Sequence, residues 1–146
     1  MKYILTLLIL CLSVTAFAND EFSKEIEKFF SLYEKGEISK AVDNIYSTNR
    51  WIDSSSDAVM NLKGQIASMS QMVGEYLGKE RVGVHSYGER LLMVTYLALY
   101  ERQPIRMEFM FYRPKDNWII YSFSFDDNTD EELKLSAREE IVRSVR

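Results

Sequence analysis

This chain of 146 residues is poor in the side chains that carry covalent or metal chemistry: one cysteine, one histidine and two prolines. The cysteine is Cys11, inside an apolar leader. Beyond the leader there is neither a disulfide nor a thiolate nucleophile, and stability has to come from a packed core. The histidine is His85, and with no second histidine or cysteine beside it no zinc-type ligand set is indicated. Met69 and Met72 are an isolated pair rather than part of a methionine-rich run, which gives no soft-metal site. Neither a cofactor nor a metal is therefore expected. Repeats, low-complexity stretches and Pro/Gly-rich linkers are also missing, so no second domain boundary is indicated.

An excess of positive charge is absent too. The chain carries 18 Lys and Arg against 22 Asp and Glu, and the leader takes only Lys2 from this count. Nonspecific nucleic-acid binding draws its affinity from clustered cations, so nucleic acid drops out as a partner.

What is present begins with Lys2, an apolar run over residues 3–14 and then Ala16-Phe17-Ala18. A short basic start, an apolar stretch too brief to span a bilayer and small residues before a cut predict a signal peptide, residues 1–18, with cleavage after Ala18. A lipoprotein reading of Cys11 lacks the small residues its cleavage needs, since Leu8-Ile9-Leu10 precede it. The expected location is periplasmic or secreted, with no membrane span after cleavage. Residues 19–128 are the size of a single domain, and 129–146 read as an added helix.

Asp20 can cap a helix bearing Phe22, Ile26, Phe29, Phe30 and Tyr33 on one face, stopped by Gly36. Ile38, Ala41, Val42, Ile45 and Tyr46 make a second helix, broken at Ser47-Thr48-Asn49. Residues 50–52 suggest a short strand. A third helix is expected over residues 58–77, on the stripe Val59, Leu62, Ile66, Met69, Val73 and Tyr76 or Leu77, with Gly78 as its cap. From Arg81 the texture becomes β-branched and aromatic, and four antiparallel strands are expected at about 81–87, 90–100, 105–113 and 118–126. In the second of these, Leu91, Met93, Leu97 and Leu99 alternate with Leu92, Val94, Tyr96 and Ala98. Both faces are apolar and both need cover. The acidic run at residues 126–130 lacks the central Gly and closing Glu of a calcium loop and reads as a turn and cap. After it, Leu133, Ala137, Ile141 and Val145 recur at every fourth place of a last helix.

The hairpin Tyr33-Glu34-Lys35-Gly36-Glu37-Ile38-Ser39-Lys40-Ala41 and the late strand Asn117-Trp118-Ile119-Ile120-Tyr121-Ser122-Phe123 carry a family likeness. With the order of elements, over residues 21–127, they resemble the cone-shaped α+β fold of ketosteroid isomerases, nuclear transport factor two and many small exported proteins. That resemblance implies N-terminal helices packed on a curved, cystatin-like antiparallel sheet of about four or five strands, plus the C-terminal helix. Enzymes of that superfamily hold acids or bases inside the cone, and its binding members leave it apolar; no catalytic residue maps across.

His85 is a candidate general base, although a lone histidine is more often structural. Arg106 and Glu108 alternate with Met107 and Phe109, and Arg90 opens the second strand, which makes either a solvated face or a polar recognition patch. Tyr87, Tyr96, Tyr100, Tyr112 and Tyr121 suit a ligand pocket or an interface, and equally cross-strand packing. The expected function is a non-enzymatic binding module for a partner protein, a peptide or a hydrophobic small molecule, with Tyr96, Tyr100, Arg106 and Glu108 as ligand-binding candidates and a homodimer through the sheet as one outcome. The alternatives are an isomerase- or dehydratase-like enzyme using His85, Glu108 or Tyr96, and a structural accessory subunit of an envelope assembly.

Overall fold

A computed structural model describes residues 21–144. The leader, its cleavage site and the Asp20 cap lie outside the described residues, as do Val145 and Arg146. Helix α1 (Glu21–Glu34) buries Phe22, Ile26, Phe29, Phe30 and Tyr33, the stripe that its three- and four-residue spacing dictates. It ends in a Schellman turn: Gly36 N–H donates to the Tyr33 carbonyl and Glu37 N–H to that of Leu32, while Gly36 takes φ 74°. Helix α2 (Ile38–Ser47) then folds back on α1 and buries Ala41, Val42, Ile45 and Tyr46.

The third helix is shorter than its stripe suggests. Helix α3 (Asp57–Ala67) stops where the Ser68 hydroxyl donates to the Gln65 carbonyl, and a single further turn, α4 (Met69–Val73), follows. Gly74 then turns the chain at φ 92°, with the Glu101 side chain lying 2.7 Å from where a Cβ would sit. Tyr76, Leu77 and Gly78 therefore open strand β1 (Tyr76–Tyr87) instead of closing a helix. An apolar spacing that suited a helix was overridden by pairing of Tyr76 with Tyr100 across the sheet. Residues 50–52 form a turn rather than a strand: Trp51 and Ile52 donate their N–H groups to the side chain and carbonyl of Asn49.

Strands β2 (Leu91–Tyr100), β3 (Ile105–Tyr112) and β4 (Ile119–Asp126) complete an antiparallel meander in the order β1-β2-β3-β4. Irregularities between Arg81 and Gly83 in β1, and at Tyr121 in β4, interrupt the ladder, as bulges that bend a sheet do. The molecule is α+β, with its helices, a four-stranded open antiparallel sheet and helix α5 (Thr129–Ser144) at the C-terminal end.

Alternation divides the sheet into two unlike faces. Leu92, Val94, Tyr96, Ala98 and Tyr100 of β2 join Ile105, Met107, Phe109 and Phe111 of β3 under the helices, all buried. Phe29 meets Phe109 and Phe123 at 5.2 Å between ring centroids, and Phe30 meets Tyr96 at 4.9 Å, so α1 spans three strands. The end of α2 is sewn to β4: Asn49 Nδ2 donates to the Ile120 carbonyl at 2.7 Å, and Ile120 N–H donates to Thr48 Oγ1 at 2.9 Å. These bonds also cover the outer edge of β4 at its start.

Candidate functional site

On the other face, the positions between those core residues point away from the helices. They are Leu91, Met93, Thr95, Leu97 and Leu99 of β2 and Arg106, Glu108 and Met110 of β3, all half-buried. Among the described residues no helix lies flat on them. Helix α5 rises from one end of this face and has no buried residue.

Arg106 is the polar centre of the open face. Its side chain is 14% exposed, and its guanidinium reaches Asp126 Oδ2 at 2.8 Å, Glu132 Oε2 at 2.6 Å and Glu108 Oε1 at 3.8 Å. Asp126 stands opposite Arg106 in the β3–β4 register, and Glu132 lies in the first turn of α5, so one side chain ties two strands to the tail. The Asp126 and Glu132 hydrogen bonds raise the Arg106 pKa against the opposing effect of burial. Burial pushes the Asp126 carboxyl up, but Arg106 and the Asn128 N–H outweigh it and hold Asp126 below the usual carboxylate range. With three carboxylates around it, Arg106 is a structural tie, and its buried Nε lacks a hydrogen-bond partner among the described residues.

Two concavities flank this centre. At the α5 end, Val82, Thr95, Leu97 and Arg106 form the floor and Leu133 the overhang of a groove of about 550 Å³. At the opposite end, Tyr87, Tyr112, Tyr121, Leu91 and Arg90 surround a depression of about 630 Å³. Arg90 is held there by two backbone carbonyls, of Arg113 and Pro114.

The residues singled out from sequence fall into separate places. Arg106 and Glu108 are together on the open face. Tyr96 and Tyr100 are buried on the helix-covered face, and in the register Tyr96 stands opposite Met107 while Glu108 stands opposite Thr95. His85 is exposed on β1, paired with Met93 toward the open face. The four ligand-binding candidates therefore form no single pocket, and His85, Glu108 and Tyr96 do not converge.

Tyr100 belongs to a cluster that sequence reasoning did not assemble. Its hydroxyl shares a hydrogen bond with that of Tyr33, and the Tyr76 ring lies 5.2 Å from Tyr33 and 5.6 Å from Tyr100. Burial raises all three phenol pKa values, aided at Tyr33 by the Tyr100 bond and at Tyr76 by the field of Glu34. These phenols stay protonated, and the Tyr76 hydroxyl has no hydrogen-bond partner among the described residues. The cluster can donate hydrogen bonds but supplies no base. Asn49 was also missed; its polar neighbours Ser47 and Thr48 signalled a helix end, but not a bond to a strand more than 70 residues away.

Among the described residues no group of three or more His, Cys, Asp or Glu could hold a metal ion, and no helix is long and apolar enough to cross a membrane. The fold and this surface define an α+β domain with one sheet face closed by helices and one open. Comparison with family models, curated proteins and solved structures gives no match.

Proposed function

We propose that this chain is an exported, non-enzymatic contact module of the cone-fold kind, which works through the open face of its sheet, and that the first occupant of that face is a second copy of the chain. The observation that carries this reading is the row Leu91, Met93, Leu97 and Leu99, with Met110 beside it, left without a helical layer among the described residues while the opposite face is fully packed. Exposed Tyr87 and Tyr121 and partly covered Tyr112 border the row. Aromatic and methionine side chains of this sort are enriched in protein interfaces. β2 spans about 30 Å and four strands about 15 Å. That face, with the tail helix, is comparable to the roughly 800 Å² per partner of a standard interface.

Methionine oxidation across a concentration series tests this directly. Met93 and Met110 lie on the open face, whereas Met60 and Met72 are exposed elsewhere. As concentration rises, oxidation of Met93 and Met110 is expected to slow while Met60 and Met72 stay constant. Four unchanged methionines would sink the reading.

A further inference from the structure

Helix α5 is sixteen residues long, and each of its residues from Asp130 to Ser144 is exposed. In proteins most of a helix's stability comes from packing an apolar face against another element. This one carries two unsatisfied apolar stripes: Leu133 with Ala137 and Ile141 on one side, and Leu135 with Val142 on nearly the opposite side, with Leu133 72% and Ile141 63% exposed. Its root is held. Asn128 N–H donates to Asp126 Oδ1 at 2.9 Å, and Arg106 grips both Asp126 and Glu132, so the first turn is pinned over Leu97 and Val82 while the remainder projects. The clamp sets a direction in which the helix does not cover its own sheet. A surface of the right chemistry exists at the far end of that sheet, among Leu91, Tyr87, Tyr112 and Tyr121.

We infer that α5 is an exchanged arm: in a two-fold dimer each copy lays its Ile141 side across the Met93 and Leu91 region of the other. This rests on the proposal that the open face is a contact surface for a second copy, and adds the element that covers it. A two-fold arrangement makes the contact self-complementary and closed, which stops growth at two copies. The arm is about 24 Å long, enough to cross most of a neighbouring β2.

The test uses the absence of other thiols. In a Cys11→Ser background, one copy carries Ile141→Cys and a second, differently tagged copy carries Met93→Cys; the two are mixed and treated with a short bismaleimide. The inference predicts cross-links between the two tags, at least tenfold above a control pairing Ile141→Cys with Trp51→Cys. It also predicts that a chain ending at Lys134, which keeps Glu132 and Leu133, self-associates at least tenfold more weakly while unfolding at the same denaturant concentration at a dilution where both chains are monomeric. If the truncated chain dimerises as before and only Met93→Cys copies link to one another, the arm is overturned and the sheet-face reading stands. If no pair links and the methionines of the open face gain no protection with concentration, both fall.

Discussion

The two faces of the sheet are built from the same strands yet held by different physics. On the covered face, Phe29, Phe30 and Phe109 interlock in ring contacts and Phe111 meets Phe22, and the side chains have almost no exposure. On the open face, leucines and methionines lie half-buried beside an arginine held by three carboxylates. The covered face is where the hydrophobic effect decides whether the chain folds. The half-buried open face contributes less to folding and is the surface that we propose a second copy covers.

Neighbouring residues of β3 give the largest expected contrast. Phe109→Ala should cost about 3–5 kcal/mol as a core truncation, while Met110→Ala, one residue on and pointing the other way, should cost about 1 kcal/mol or less. Urea denaturation of both variants checks this, and equal losses would mean the faces are not distinct. Next comes Asn49→Leu, which leaves the Ile120 carbonyl and the Trp51 N–H without their partner; about 1–3 kcal/mol is expected from the same measurement.

The ion cluster should be weaker and should depend on pH. Arg106→Met is expected to cost about 1–2 kcal/mol near neutral pH. Because the folded pKa of Asp126 is depressed, its contribution is present above the unfolded value of about 4 and is lost as pH falls through the lower folded value. Denaturant midpoints recorded downward from pH 5 should therefore fall more steeply in the native chain than in Asp126→Asn. The smallest effect is His85→Ala, expected to change stability by about 0.5 kcal/mol or less because the side chain is exposed on an edge strand.

Periodicity carried much of this fold. The stripes of α1 and α2, Gly36 as their hinge and the alternation of β2 all follow from spacing, and the strand turns fall in the gaps between the four expected strands. The error lies at the break after Ala67 and at residues 74–78, and it has a physical cause. Tyr76 and Leu77 continue the apolar spacing of a helix but suit a strand equally, and the pairing with Tyr100 that decides the matter is not local. The candidate site was less legible for the same reason. Arg106 and Glu108 are two apart in one strand and visibly share a face, but Asp126 and Glu132 reach Arg106 only through the meander. Tyr33, Tyr76 and Tyr100 likewise meet only in three dimensions, and a tyrosine-rich strand does not reveal which rings point inward.

The most direct test of the division between the faces is the solution mass of the native chain and of Met93→Glu, measured by sedimentation over a range of concentrations beside their denaturant midpoints. The account predicts a native dimer that dissociates on dilution and a variant that stays monomeric with its stability changed by no more than about 1 kcal/mol. A native chain that is monomeric at every concentration, or a variant that unfolds as Phe109→Ala does, would contradict it.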